Sequence, residues 1–186
     1  MFQKIFTFLI IFLTVIIQIS VFPHFFPPGL VPDLALILAI IWTVDEGFER
    51  SLWRIVILGL VLDLLSFWPV GFNVIALVLI SYATSFLAKR FLISPKAWKL
   101  LFILSVLALG TLAYHIIINI LLLFFNSLAS EKLDNLILRI GDAKIIFKVA
   151  CNLLALFLIY WPLKKTEEFL SFYNRNNFSQ AKIYRR

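Results

Sequence analysis

The stretch "GLVLDLLSFWPVGFN", residues 59–73, decides the fold, because it sets a carboxylate inside an apolar run and then breaks that run. Asp63 occupies the run, and Pro69 and Gly71 follow it. A lone carboxylate at the centre of a bilayer costs about 2.5–3.5 kcal/mol even on the more lenient insertion scale. If the chain crosses a membrane, Asp63 therefore requires a partner or water.

The composition predicts a polytopic membrane protein. Of the 186 residues, 62% are apolar and 15% charged, and the mean hydropathy is +1.01. Soluble domains are about 45–50% apolar and about 25% charged. A single cysteine excludes an internal disulfide. The net charge of +7 is interpreted as an orientation signal and not as a nucleic-acid surface.

Six apolar segments predict an all-α bundle of about six transmembrane helices, at residues 5–22, 33–44, 52–67, 74–88, 100–125 and 145–163. The second, third and fourth are short for spanning helices and could be re-entrant or lie in a thinned bilayer. The first is predicted to be retained, because it is longer than a signal-peptide core and lacks a small-residue cleavage site.

The basic residues predict the orientation. With a cytoplasmic N-terminus, thirteen of the seventeen Lys and Arg residues lie inside, and four lie outside, namely Lys132, Arg139, Lys144 and Lys148. Both termini are therefore predicted to be cytoplasmic. One transmembrane domain, residues 1–163, carries an outer amphipathic helix at 130–141, and a basic tail at 164–186 lies near anionic membrane lipids.

Polar residues concentrate in the outer half of the predicted bundle, at Gln18, Asp33, Asp63, Asn73, His115, Asn119, Lys148 and Asn152. On the fifth segment one predicted face holds Ser105, Ala108, Leu112, His115 and Asn119. Isolated polar residues often only bond to neighbouring helices, at roughly 0.6 kcal/mol each, so His115 is more readily a packing residue than a ligand. Gly59, one turn before Asp63, is predicted to be a close-packing site.

Three kinds of partner for Asp63 follow from this reading. Lys148 and His115 lie at suitable depth. Alternatively, Pro69 ends the third helix and Gly71 permits a sharp turn, so that Asp63 accepts hydrogen bonds from N–H groups of the turn or of the next helix. The sequence does not choose among them.

Catalysis is not predicted. Asp33 and Asp63 are two outer acids, so a metal or lipid-phosphate role remains an alternative, but no His, Cys or Glu group and no outer Arg cluster accompanies them. Hydrolase and nucleotide signatures are missing. Proton-driven transport, with Asp63 as a relay, rests on a single acid. We expect no catalytic residue, metal or cofactor.

The tripeptide "PDL" at Pro32–Leu34, together with the stretch 59–73, resembles the MreD family of bacterial rod shape-determining membrane proteins. In that family PDL opens one short helix, and a G-x-x-x-D-x-x-S-x-x-P-x-G-x-N-like pattern closes the next. The resemblance adds Pro32, Asp33, Gly59, Asp63, Pro69, Gly71 and Asn73 to His115, Asn119 and Lys148 as structural or partner-site candidates. Two departures are the acidic loop "DEGFER", residues 45–50, and Phe67 and Trp68 in a turn that often carries glycine.

The resemblance implies a non-enzymatic scaffold of the machinery that inserts side-wall peptidoglycan. Its partner would be the single-pass protein MreC, alongside the glycosyltransferase RodA, the transpeptidase PBP2 and the MreB filament. Small residues Ser81, Ser85 and Ala88 could admit a partner helix, or could only pack inside the bundle.

The family is also similar in fold to the substrate-binding subunits of energy-coupling-factor transporters, which supplies the alternative of a small-molecule (vitamin)-binding membrane subunit. Such a subunit would usually show small-xxx-small spacing on its first helix for docking its transporter. Residues 5–22 have no such pair, which favours the scaffold.

Overall fold

The computed structural model describes residues 2–27, 29–66, 69–91, 96–128, 145–160 and 165, and this part of the chain is helical without a strand. Helix α1 (Phe2–Ile16) continues through a π-helical turn (Ile17–Val21) into the short α2 (Phe22–Phe25). The other helices are α3 (Leu34–Glu46), α4 (Phe48–Leu65), α5 (Phe72–Phe91), α6 (Lys96–Leu128) and α7 (Ile145–Tyr160). The predicted outer helix 130–141, and the tail except residue 165, lie outside the described residues.

Helix length confirms the membrane assignment and separates two kinds of helix. Among the described residues, three helical stretches are long and apolar enough to cross a membrane: Ile5–Phe25, Phe72–Phe91 and Lys99–Phe125. In contrast, α3 has 13 residues and is about 20 Å long at 1.5 Å per residue. A bilayer core is about 30 Å thick, so α3 by itself is too short to span it.

Helix α3 lies at the centre of the bundle. Each of its residues from Leu34 to Thr43 is buried, as expected of a helix that is apolar on all sides. Helices α1, α4, α5 and α6 pack around it. The core joins Ile37 of α3 to Leu58 of α4, Leu77 of α5 and Leu107 of α6. In lipid such helices are held by close packing and not by the hydrophobic effect.

Helices α4 and α5 approach each other closely at Gly59. A Cβ atom added to Gly59 would lie 2.7 Å from Val74 Cα, which confirms the predicted close-packing site. Because Gly59 is one turn before Asp63 and Val74 lies in the first turn of α5, this crossing brings the Asp63 side chain beside the start of α5.

The opposite end of α3 carries a charged corner, defined as Trp42, Asp45, Glu46, Arg54 and Lys99. Gly47, with φ 86°, is the one residue between α3 and α4. Ion pairs join Glu46 to Arg54 and Asp45 to Lys99, and the Arg54 guanidinium lies 5.3 Å from the Trp42 ring centre. These pairs give Asp45 and Glu46, two of the acidic residues of the 45–50 loop, a structural use.

Candidate functional site

Asp63 anchors the turn between α4 and α5. Its side chain is buried, with the residue 2% exposed. Oδ2 accepts a hydrogen bond from the backbone N–H of Gly71 at 2.8 Å, and a longer one from Val74 N at 3.4 Å. Oδ1 accepts from Asn73 N at 3.0 Å and from Asn73 Nδ2 at 2.7 Å. Of the partners predicted for Asp63, the turn and the next helix are confirmed.

The local sequence explains why this turn presents its N–H groups. Helix α4 ends at Leu65, shortly before Pro69, which has no N–H to continue a helix. Gly71 has φ 103°, a conformation that glycine adopts readily. The first N–H groups of α5 have no partner within their own helix, and the positive end of the helix dipole favours an anion. These backbone N–H groups thus provide the carboxylate with hydrogen bonds in place of those that water would make.

Asn73 extends the anchor to a third helix. It is buried, and while its Nδ2 donates to Asp63, its Oδ1 accepts a hydrogen bond from the Tyr114 hydroxyl of α6. Asp63, Asn73 and Tyr114 therefore connect α4, α5 and α6 through directed bonds. We call these three residues the turn anchor.

Asp33 is held by a second group of contacts. It lies at the N-cap position of α3, but its side chain makes no capping bond. Its Oδ2 lies 2.9 Å from Lys148 Nζ of α7, as an ion pair without hydrogen-bond alignment. Its backbone N–H donates to Asn152 Oδ1 at 2.7 Å, and Asn152 Nδ2 donates to Thr111 Oγ1 at 2.9 Å. We call Asp33, Thr111, Lys148 and Asn152 the α7 seat.

A side chain from the π-helical turn after α1 also caps the first turn of α3. The π-helical turn carries Gln18, whose Oε1 accepts the N–H of Ala35 at 2.9 Å. The Leu34 N–H is bonded to the carbonyl of Pro32 at 3.2 Å. The "PDL" start of α3 is therefore capped largely by side chains of distant helices, Gln18 and Asn152.

Two predicted partners of Asp63 are wrong. Lys148 pairs with Asp33 instead, and among the described residues no hydrogen bond joins His115 to Asp63. His115 Nε2 is buried without a hydrogen-bond partner in the described structure. Asn119 is buried, and its Nδ2 donates to the His115 carbonyl within α6. His115 and Asn119 therefore stand apart from the described contacts of the turn anchor and the α7 seat.

The predicted polar face of α6 is not its inward face. Ser105 is exposed and bonds to the carbonyl of Leu101, and Leu112 is also exposed. The buried positions include Leu107 and Thr111, which lie between the predicted ones. The spacing of polar side chains therefore predicts one face of α6, but the packed bundle buries only part of that face.

Sequence reasoning missed Thr111 and Tyr114 as site residues. Both side chains are far along the chain from their partners, 41 residues in each case. Their three-residue separation puts them on one face of α6, and this pairing of two hydroxyl side chains was an available signal. Asn152, at i+4 from Lys148, was recognised only as an outer-half residue.

The small residues of α5 lie inside the bundle. Ser81 and Ser85 are buried, and Ala88 is half-buried. Of the two predicted alternatives, packing inside the bundle is the one observed. This face of α5 is not available to a partner helix in the described arrangement.

The polar groups of the turn anchor and the α7 seat are used mainly by one another. Asp63, Asn73 and Asn152 each bond to at least two groups of other residues. Among the described residues no group of three or more His, Cys, Asp or Glu side chains is placed to hold a metal ion. The arrangement is chemically suited to fixing helices relative to one another.

Comparison with known proteins gives one match. A family model described as MreD, rod shape-determining protein MreD, matches residues 2–140. The match includes Asp33, the turn anchor and Thr111, and it ends before α7 begins. No curated protein and no solved structure matches significantly, so the expected likeness to transporter subunits stays a prediction.

Proposed function

This chain belongs to the MreD family of rod shape-determining proteins, and we propose that it acts there as a non-enzymatic membrane scaffold. Its role is in rod shape determination, and its family is one of shape-determining membrane proteins. The proposed setting is the side-wall peptidoglycan machinery, with an MreC-type single-pass protein as direct partner. RodA, PBP2 and MreB are then neighbours, directly or indirectly.

The observation that supports a scaffold most is the internal use of the buried polar groups. A binding subunit for a vitamin would direct several donors and acceptors into a cavity. Here the Asp63 carboxylate accepts hydrogen bonds from Gly71 and Asn73. The Asn152 side chain forms hydrogen bonds with Asp33 and Thr111. Rigid joints between helices suit a protein that presents a surface.

A relay for protons is less well supported. Between Asp33 and Thr43, the nine residues of α3 from Leu34 to Trp42 are apolar and buried. They occupy about 14 Å of helix length. The polar groups at the two ends of α3 are thus separated along this helix by an apolar layer, which disfavours the transport alternative.

The outer rim is the proposed contact for the partner. Helix α6 continues 14 residues beyond Tyr114, about 21 Å, whereas α3 and α4 end near the two carboxylates. Ile116, Ile120 and Phe124 are exposed along one face of this extension. We propose that the membrane helix of the partner packs along this face, since the small-residue face of α5 is occupied.

The proposed topology is six membrane helices in the inner membrane with both termini cytoplasmic. Residues 1–163 form the transmembrane domain, and residues 164–186 form a tail near membrane lipids. The ion pairs agree with the relative sides assigned from charge, because Arg54 and Lys99 gather at one end of α3 and Lys148 at the other.

A labelling experiment tests the orientation. Cysteines replace Ser130 or Ser179 in a Cys151→Ala protein, and intact cells are treated with an impermeant thiol reagent. We expect labelling at 130 and protection at 179. The reverse pattern would overturn the orientation.

A crosslinking experiment tests the partner. A photocrosslinking amino acid is placed at Ile120 or at Leu101, which are equally exposed at 56% but lie towards opposite ends of α6. In a rod-shaped bacterium we expect Ile120 to crosslink the MreC-type protein and Leu101 not to. Depletion of the chain should give round cells. Normal rods after depletion, together with vitamin binding by the purified protein, would favour the transporter subunit instead.

A further inference from the structure

Helix α7 is attached to the bundle by two polar residues on one face. Lys148 and Asn152 are one turn apart, and both contact Asp33. Asn152 is completely buried and bridges α3 and α6, because it accepts from Asp33 and donates to Thr111. The opposite face of α7 is apolar and exposed, at Ile146, Phe147, Leu154 and Leu158. These directed bonds and the packing of Ala155 and Leu156 in the core together determine where α7 lies.

Helix α6 contributes one residue to the α7 seat and one to the turn anchor, and the two residues lie within one helical turn. Thr111 accepts the bond from Asn152, and Tyr114, three residues later, donates to Asn73. Side chains at i and i+3 have Cβ atoms about 5–6 Å apart. The two groups of contacts therefore adjoin on one face of α6.

We propose that α7 is a latch whose docking is energetically coupled, through Thr111 and Tyr114 of α6, to the turn between α4 and α5. When Asn152 leaves, the Asp33 N–H and the Thr111 hydroxyl each lose a partner at a buried site. Loss of this bridge frees α6 to shift relative to α3, and the shift moves Tyr114 away from Asn73. The coupling is reciprocal, because linkage between two sites acts equally in both directions.

The coupling concerns the fold alone and does not depend on the partner proposed above. It assigns a conformational role to α7, which lies beyond the family match. It also makes Asn152 the positioning residue of the α7 seat and Tyr114 the positioning residue of the turn anchor.

Crossed measurements on the full-length protein in nanodiscs test the coupling. Amide hydrogen exchange at Gly71 and Asn73 reports on the turn, since Asp63 accepts both N–H bonds. The labelling rate of Cys151, a free and half-buried thiol on α7, with N-ethylmaleimide reports on the latch. The variants are Asn152→Leu and Tyr114→Phe, and Leu154→Ala on the exposed face of α7 is the matched control.

The decisive readout for each substitution is the one at the other group of contacts. This is exchange at the turn for Asn152→Leu and labelling of α7 for Tyr114→Phe. We expect Asn152→Leu to accelerate exchange at Gly71 and Asn73 about three- to tenfold, and Tyr114→Phe to accelerate Cys151 labelling by a similar factor. Exchange at Gly47 N, bonded to Thr43 at the other end of α3, should not change. The Leu154→Ala control should leave all three readouts as in the parent protein.

Two results would overturn the coupling. In one, Asn152→Leu changes only the labelling of Cys151, and Tyr114→Phe changes only the exchange at Gly71 and Asn73. In the other, exchange at Gly47 rises as much as at Gly71, which would indicate general loosening. If Asn152→Leu does not fold, the double variant Asp33→Asn/Lys148→Met removes the ion pair without stranding a charge, and the same crossed criterion applies to it and to Tyr114→Phe.

Discussion

The two ends of α3 hold their charges in different ways. At the N-terminal end Asp63 is almost completely buried and is bound by backbone N–H groups and an amide. At the charged corner, Glu46 and Arg54 have side chains 32% and 13% exposed and pair directly with each other. Asp63 is held mainly by donors fixed in the backbone, whereas Glu46 and Arg54 are two long side chains that hold each other.

This difference predicts where the molecule is sensitive. Exposed ion pairs contribute about 0–1 kcal/mol, because water screens them and their side chains lose entropy. Removing one member of a buried charged contact costs roughly 3–5 kcal/mol, because the groups left behind cannot find water. The turn anchor should therefore govern stability and shape function more than the charged corner.

The largest effect is expected for Asp63→Leu. The substitution leaves the N–H groups of Gly71 and Asn73 and the Asn73 amide without their acceptor, at a cost of roughly 3–5 kcal/mol. We expect loss of folded protein in detergent, measured by thermal unfolding, and failure to restore rod shape. Asp63→Asn keeps one acceptor oxygen and should retain more of both.

The matched control is Glu49→Leu, which removes an exposed acid in the first turn of α4. It should leave stability and cell shape close to those of the parent protein. Parent-like stability and full rod shape with Asp63→Leu would contradict the anchoring role.

A smaller effect is expected for Gly59→Ala. The new Cβ would lie 2.7 Å from the Val74 backbone, so α5 must move away from α4, at about 1–3 kcal/mol. Gly110→Ala is the comparison, because its nearest neighbour is the flexible Cδ1 end of Ile40 at 3.2 Å. Thermal unfolding should rank Gly59→Ala as the less stable variant. Equal unfolding temperatures would mean that the α4–α5 approach is not a rigid constraint.

The smallest effect is expected for Glu46→Gln at the charged corner. It weakens a partly exposed ion pair, so the loss should be about 0–1 kcal/mol and should shrink further in high salt. Unfolding at two ionic strengths measures it. A loss as large as that of Asp63→Leu would remove the distinction between the two ends of α3.

The turn anchor was largely predictable from the sequence because its first partners are local. Asp63, Gly71 and Asn73 lie within ten residues of one another, and Pro69 and Gly71 carry clear turn signals. The helical class, the membrane assignment and the close packing of Gly59 also follow from hydropathy and residue type. A chain that must turn within a few residues has few ways to do so.

The α7 seat was decided by the tertiary structure. Asp33 and Asn152 are 119 residues apart, and depth alone suggested Lys148 as a partner of Asp63 and not of Asp33. In lipid, an exposed face such as that of Ile116 on α6 is as apolar as a buried one such as that of Leu107. Hydrophobic periodicity therefore does not state how each helix is rotated.

The sequence by itself determined that this chain is a helical membrane protein with the family motif around Asp63, and it offered the carboxylate-anchored turn as one of three alternatives. Only the packed bundle decided that Tyr114 completes the anchor and that Lys148 and Asn152 bind Asp33. The physical reason is that a local hydrogen bond depends on chain geometry over a few residues, whereas a bond between distant helices depends on their order, rotation and depth. In this bundle those are set by close contacts such as that of Gly59 with Val74.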